Sequence, residues 1–224
     1  MAGGGVYPLN PMTHDRRYPA LLIDSLTPIY DFFARLFMPE KQFKRALIAH
    51  AHIAAGQRVL DLGAGTGTLA IMIKQTQPGA QVTGLDGDPE ILSIAREKAS
   101  RSGEEIAFDV GNATALPYPD HSFERVLSTL VMSVLGSDEK QLAICEAYRV
   151  LRSGGELHIA DFGSPHTRWG HLVAPLVRRF EPIADNLDGI LPMMFREAGF
   201  EKIEEVARFA TVFGTLSILS SQKP

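Results

Sequence analysis

The sequence predicts an α/β fold built on a mostly parallel sheet, and three observations carry that expectation. After Gly56, short apolar runs alternate with amphipathic stretches, an order that requires crossover connections and so lays successive strands parallel. One of those runs leads directly into a glycine-rich turn and then a helix, over residues 59–67. With 224 residues, 45% hydrophobic and 21% charged, the chain suits one domain with appendages better than two small domains or a disordered polymer.

The elements follow in order. Residues 1–26 are rich in Gly, Pro and mixed polar residues without a period and read as an arm. Two helix-like stretches, 28–38 and 40–53, are expected to cap one edge of the core, the first carrying Tyr30, Phe32, Phe33, Leu36, Phe37 and Met38. Residues 58–62 read as the first strand and 67–77 as a helix that Pro78-Gly79 stops. Residues 81–86 form the second strand. Asp88 then stands at an N-cap with Pro89 at the first helical position, opening a helix to Ser102-Gly103. Strands at 106–110 and 123–128 come next, and Ser137 is expected to cap a helix with Asp138 and Glu139 in its first turn, ending near Leu151. A fifth strand covers 156–162, residues 163–186 show no assignable element, and 187–198 reads as a helix closed by Gly199. Strands at 202–209 and 212–220 finish the chain. This divides it into an arm with lid helices, 1–53, and a single globular unit, 54–224.

Composition narrows the function classes. A formal net charge of −4 argues against a nucleic-acid binder of the basic-patch kind. A lone Cys145 permits no internal disulfide and no cysteine-based zinc site, so a reducing, cytoplasmic setting without a metal is expected. No run of about 18 apolar residues is present to span a bilayer, and the opening residues lack the charged and apolar stretches of a signal peptide.

The segment that carries chemistry is Val59-Leu60-Asp61-Leu62-Gly63-Ala64-Gly65-Thr66-Gly67. Its glycines permit positive φ and let a ligand approach the backbone, and ligands of parallel sheets bind beyond the carboxyl ends of the strands. Asp86 closes the second strand, where its carboxylate can accept both ribose hydroxyls of an adenosine, so a nucleoside cofactor is implied. The dinucleotide fingerprint would put its third glycine at position 68, which is Thr68. Asp61 would moreover repel a pyrophosphate, while it suits the ammonium of a methionine moiety. These two points favour S-adenosylmethionine over NAD and leave a NAD-dependent oxidoreductase as the weaker reading. A phosphate loop is excluded because no Gly-Lys-Ser or Gly-Lys-Thr follows.

At these residues the sequence resembles the class I S-adenosylmethionine-dependent methyltransferases, over most of residues 27–224. The stretch from Asp61 to Gly67 is similar to the family's first motif and Asp86 to its ribose-binding acid. Gly111-Asn112-Ala113, then Leu116-Pro117-Tyr118-Pro119-Asp120 and Phe123-Glu124, is similar to the family's "G-D-A … L-P-F-x-D … F-D". Asn112 replaces the acid that meets the adenine amino group, and its carbonyl can accept the same bond. Gly87 stands where the family often has an apolar side chain against the adenine. Glu146, Arg149-Val150-Leu151 and Gly154-Gly155 resemble "E-x-x-R-V-L-x-P-G-G", with Ser153 in place of the proline. Within the family, Tyr30-Asp31, Glu197-Ala198-Gly199-Phe200 and Phe213-Gly214-Thr215-Leu216 are most like the quinone C-methyltransferases of demethylmenaquinone and ubiquinone type, and the bacterial phospholipid N-methyltransferases.

The resemblance implies a doubly wound, seven-stranded, mostly parallel sheet of Rossmann-like methyltransferase type with N-terminal capping helices, its last strand antiparallel. It implies that Gly63, Ala64, Gly65 and backbone near Ser128 hold the methionine part, Asp86 the ribose, and Asn112 with Ala113 the adenine, against which Gly87 also stands. The acceptor is expected to be a small or lipid-like molecule. Its base, where one is needed, is sought at Asp161, at His166 or His171 in the following stretch, or at Tyr30. Each has a plainer reading: a turn cap for Asp161, solvated loop histidines, a core aromatic for Tyr30. Cys145 is read as a core residue of its helix, Glu146 with Arg149 as a structural ion pair, and His50 and His52 as pointing to different faces. The apolar stretch 30–38 with Lys41, Lys44 and Arg45 reads as a lid over the cofactor in preference to a peripheral membrane contact. A cofactor-binding sensor or inactive partner protein without transfer activity is the rival function; oligomeric state is left open.

Overall fold

A computed structural model describes residues 40–179 and 181–224. The expected helix at 28–38, and Tyr30 with it, lies outside those residues. The described elements are α1 Glu40–His50, β1 Arg58–Leu62, α2 Thr68–Thr76, β2 Gln81–Asp86, α3 Pro89–Arg101, β3 Ala107–Val110, β4 Phe123–Thr129, α4 Ser137–Val150, β5 Leu151–Gly163, α5 Arg168–Val177, α6 Glu181–Leu187, α7 Leu191–Glu197, β6 Glu201–Thr211 and β7 Gly214–Gln222.

The apolar runs become strands because helices cover both of their faces. In β1 every residue after Arg58 is buried, and in β4 every residue before Thr129 is, the burial a parallel sheet between two helical layers demands. The strand order is β3-β2-β1-β4-β5-β7-β6. β1 pairs parallel with β2 and β4, β2 with β3 and β4 with β5, while β7 runs antiparallel to β5 and β6. The seven strands and the single reversed one are as the sequence implied. One core layer joins Val59, Val82, Leu127, Ala160 and Ile218 to α1, α2 and α3; the other joins Leu60, Leu62, Val126, Leu157 and Ile159 to α4 and α7. The switch between the two windings falls between β1 and β4, which opens a crevice at their carboxyl ends.

As expected of the stretch 40–53, α1 caps one edge of the core: Phe43 and Leu47, one turn apart on it, are both 0% exposed and pack with Val59, Leu69 and Ile73. Several other expectations are corrected here. Lys44 is also turned inward, only 8% exposed and paired with Glu40 at 2.7 Å, so of the basic trio at 41, 44 and 45 it cannot meet a lipid surface. Ser137 is not the cap of α4. That position is Gly136, whose N–H donates to Glu139 Oε2 at 3.1 Å, and Ser137 Oγ bonds Asp185 instead. Cys145 is exposed rather than in the core.

Residues 163–186 hold two helices. Thr167 caps α5, its side chain accepting from the Gly170 N–H at 3.0 Å, a signal overshadowed by Gly170 and Pro175 inside the helix. Buried Lys140 of α4 anchors α6, bonding the Pro182 carbonyl and Asp185. The single helix expected over 187–198 is broken at Gly189, whose φ of 73° turns the chain out of α6 before α7 begins.

Candidate functional site

The glycine turn after β1 is left-handed at all three of its glycines, with φ of 74° at Gly63, 52° at Gly65 and 72° at Gly67. The N–H groups of Gly63 and Ala64 donate to the Leu85 carbonyl at 2.8 and 2.9 Å, which hangs the turn on β2. Two of these glycines do different work. A Cβ on Gly63 would stand 2.1 Å from Val131 Cγ2, so a side chain from the loop after β4 fills that space. At Gly65 nothing lies within 4 Å of the same position, and there the backbone is open to a ligand.

Asp61 lies two residues before Gly63 and is 1% exposed. Its Oδ2 accepts from the Ala70 N–H at 3.0 Å. Ala70 is in the first turn of α2, whose N-cap Gly67 has no side chain to offer, so Asp61 satisfies one of the helix's orphan donors. Its Oδ1 has no hydrogen-bond partner among the described residues. Burial pushes the Asp61 carboxyl up to about 7, against the pull of the Lys44 charge and the Ala70 N–H, while Asp86 adds a smaller push. A buried carboxylate with an idle oxygen wants a cation.

Asp86, partly exposed at the end of β2, accepts from the Gly65 N–H at 2.8 Å through Oδ2 and from the Asp88 N–H at 3.1 Å through Oδ1. It thus clasps the glycine turn to the start of α3, with lone pairs to spare on both oxygens. A Cβ built on Gly87 would meet only the Gly111 carbonyl, at 3.8 Å, so the space beside it is open enough for a flat ring. The Gly111 N–H donates to the Asp86 carbonyl at 3.0 Å, which brings Asn112 and Ala113 to the same edge. Asn112 is exposed and its Oδ1 takes the Thr114 N–H at 3.0 Å, one of its two acceptor positions.

Arg149 holds this edge in place. It reaches Glu146 at 2.7 and 2.8 Å, Asp120 at 2.7 Å and the carbonyls of Tyr118 and Leu116, while Glu146 takes the Leu116 N–H at 2.7 Å. The structural ion pair expected from the sequence is therefore a hub for the loop that follows Asn112. The hydrogen bonds of the Arg149 guanidinium hold the carboxyls of Glu146 and Asp120 below the usual range.

A second polar centre lies at the end of β5. Asp161 is 1% exposed and accepts from the Phe162 N–H at 2.7 Å, the Asn186 amide at 3.1 Å and the Ser133 N–H at 3.2 Å. Burial raises its carboxyl to about 6 even so. A cavity of about 160 Å³ adjoins it, with Asn186, Gly163, Leu191 and Arg208 also in its wall. The two centres are linked by the loop after β4, which lays Val131 on Gly63 and hands the Ser133 N–H to Asp161. Val131, Ser133 and Asn186 had no sequence signal, since their partners are distant along the chain.

The remaining candidates are placed as follows. Ser128 is 0% exposed and its Oγ donates to the Leu62 carbonyl at 2.8 Å, so its side chain is engaged within the sheet. His166 is exposed with Nδ1 2.8 Å from Thr215 Oγ1, and His171 is exposed on α5. No group of three or more His, Cys, Asp or Glu suited to a metal occurs among the described residues.

The arrangement fits a nucleoside that carries an ammonium: an idle carboxylate oxygen at Asp61, an open backbone at Gly65, and a carboxylate with free lone pairs at Asp86. Asp86 would serve the ribose of either nucleoside cofactor, and it is the buried Asp61 carboxylate beside the turn that does not fit a diphosphate.

Comparison with known proteins bears on the same residues. Residues 59–155 match the family model described as a methyltransferase domain. The demethylmenaquinone methyltransferase of Thermus thermophilus is 38% identical over 146 residues, covering 64% of this chain and 66% of the relative. The ubiquinone/menaquinone biosynthesis C-methyltransferase of Xanthomonas campestris is 35% identical over 149 residues, covering 65% and 54%. The chain thus spans less than two thirds of these relatives' length. Among solved structures, Haemonchus contortus phosphoethanolamine N-methyltransferase 2 has a TM-score of 0.72 at 17% identity, covering 91% of this chain and 59% of that one. The [4+2]-cyclase SpnF has 0.65 at 20% identity, covering 82% and 81%. These two likenesses concern the fold, and the second belongs to a protein named for a different reaction.

Proposed function

With a class I S-adenosylmethionine-dependent methyltransferase domain in hand, we propose that the chain moves a methyl group from S-adenosylmethionine to a small-molecule acceptor, a reduced quinone ring in the first instance. The observation that carries this is the unpartnered, buried Asp61 Oδ1 beside the open Gly65 backbone and Asp86.

S-adenosylmethionine supplies an activated methyl group on a sulfonium, so the hard chemistry comes with it. Asp61 Oδ1 holds its ammonium, Gly65 gives the backbone its close approach, Asp86 accepts from the ribose hydroxyls, and Asn112 with Ala113 borders the adenine beside Gly87. The protein's larger task is alignment, which contributes on the order of 7 to 11 kcal/mol when reacting atoms are held near attack distance. A ring carbon has a proton to lose after methylation. Asp161, joined to the cofactor turn through the 131–133 loop, is the base we assign to it, with its ionised form prevailing above pH about 6. The quinone-type relatives support the acceptor class.

The test is incubation of the whole chain with methyl-labelled S-adenosylmethionine and a naphthohydroquinone prenylated at one ring carbon and unsubstituted at the adjacent one. We expect S-adenosylhomocysteine and label on the ring in equal amounts. Tight cofactor binding with no turnover on any of a carbon, nitrogen and oxygen acceptor panel points instead to a sensor or inactive partner, and preferential binding of NAD overturns the cofactor itself.

Asp161→Asn should lower turnover about 10²-fold or more while cofactor affinity holds. The wild-type rate should climb with pH through about 6 and level off, and the variant's profile should be flat across that range. Wild-type turnover in the variant, with the same pH profile, removes Asp161 as the base.

A further inference from the structure

Helix α5 carries an apolar stripe that faces solvent. Trp169, Leu172 and Leu176 follow at i, i+3 and i+7, hence on one face, and are 53%, 71% and 62% exposed. The side that packs inward is marked by buried Gly170, where a Cβ would come within 3.5 Å of Thr215 Oγ1 on β7. The indole is held in place, because its Nε1–H donates to the Val212 carbonyl at 3.0 Å. Val212 sits at the tip of the β6–β7 hairpin and is itself 40% exposed. Two elements therefore build one patch, tied together by the tryptophan that dominates it.

The segment that bears this patch carries charge of one sign. Residues 163–180 contain three arginines and two histidines and no Asp or Glu. Arg178 is engaged by Asp188. Arg168 and Arg179 are both exposed, and no acid pairs with either among the described residues. Arg168 opens α5 one turn before Leu172, and Arg179 lies in the turn just past the C-cap Arg178, so an exposed arginine stands at each end of the stripe. The outward stripe of α5 is thus apolar and flanked at both ends by exposed arginine.

We propose that α5 and the β6–β7 tip form a docking face for an anionic lipid surface. Trp169, Leu172 and Leu176 enter the boundary between headgroups and acyl chains, and Arg168 and Arg179 meet the lipid phosphates. An apolar face with a basic flank matches such a boundary, and a ten-residue helix can lie in it without being long enough to cross. A second copy of the chain is a poorer occupant. A twofold contact through this patch would set Arg168 and Arg179 against their own like charges with no acid of the same segment to offset them. The residues of this surface are other than those of the stretch 30–45, and the inference stands whether or not the methyl acceptor is a quinone.

Trp169 is the chain's only tryptophan, so intrinsic emission reports on this face alone. Vesicles of phosphatidylcholine with phosphatidylglycerol should shift the emission of the full chain to the blue and shield it from iodide, and added salt should weaken both effects. Vesicles of phosphatidylcholine alone should do far less. In co-sedimentation, Leu172→Asp/Leu176→Asp and Arg168→Glu/Arg179→Glu should each lower binding at least about tenfold, with affinity for S-adenosylmethionine unchanged. No shift with anionic vesicles, or an equal shift with both kinds, overturns the proposal. So does an indole already protected from iodide without lipid, or protected on concentration-dependent dimerisation, since the face is then covered by the chain itself or by a second copy.

Discussion

Asp61→Asn is expected to leave the free protein more stable at pH 8 and to cripple its hold on S-adenosylmethionine. The side chain keeps an oxygen for the Ala70 N–H and loses only the charge on a carboxyl that is 1% exposed and half unpartnered. Burial raises that carboxyl from 3.8 to about 7. The folded protein therefore holds a proton that the unfolded chain has already released, so this group's contribution favours folding at low pH and is lost as pH rises from about 4 to about 7. Each unit of separation is worth about 1.4 kcal/mol, so the variant's gain above pH 7 is on the order of a few kcal/mol. Thermal unfolding of the wild type should weaken relative to the variant between pH 5 and pH 8, in differential scans of the two proteins in matched buffers.

Binding should run the other way. An ammonium needs the ionised carboxylate, so wild-type affinity should rise by up to about tenfold per pH unit below 7 and then level off, with proton release visible in calorimetry across buffers of different ionisation heat. The variant should bind roughly ten- to a hundredfold more weakly at pH 8, the loss of a charge-assisted bond, and its affinity should not follow that pH curve. Equal affinity and the same pH slope in both proteins would refute Asp61 as the ammonium's partner.

Asp86→Ala should cost at least about tenfold in cofactor affinity, since charge-assisted bonds of about 1.5 to 3 kcal/mol each to the ribose hydroxyls go with it. The same carboxylate clasps the Gly65 and Asp88 N–H groups, so a modest fall in melting temperature is expected as well, with the circular dichroism of the fold retained. Asp86→Asn separates the two roles. Its single oxygen can keep the Gly65 N–H but cannot accept from the turn and both hydroxyls as a carboxylate does. We expect Asn to recover most of the stability and little of the affinity; full recovery of both would reduce Asp86 to a turn clasp.

Much of this candidate site is legible in the sequence. The bounds of β1 and β2 at 58–62 and 81–86 are legible because each short run is set off by a turn signal on either side, Gly56 and the glycine turn for the first, Pro78-Gly79 and Asp88-Pro89 for the second. The cap of α3 was equally plain: Asp88 accepts from Glu90 and Ile91 N–H with Pro89 beside it, a purely local chemistry. The positive φ at Gly63, Gly65 and Gly67 was foreseen because only glycine adopts it without strain. What escaped depended on distant partners. Ser137 looked like a cap and instead bonds Asp185 of α6, Lys44 looked like a surface charge and is packed beside Glu40, and the helices of 168–187 were hidden by Gly170, Pro175 and an outward apolar stripe.

The order of strands and helices, the glycine turn and the two acids that flank it were determined by the sequence alone, since each rests on patterns or bond geometry within a few residues. Which atoms those acids leave free was decided only by the tertiary structure. Ala70 takes one oxygen of Asp61 and leaves the other idle, Val131 fills the space at Gly63 but not at Gly65, and Ser133 and Asn186 converge on Asp161. Desolvation and hydrogen bonding depend on everything that packs around a group, and no local pattern contains that information.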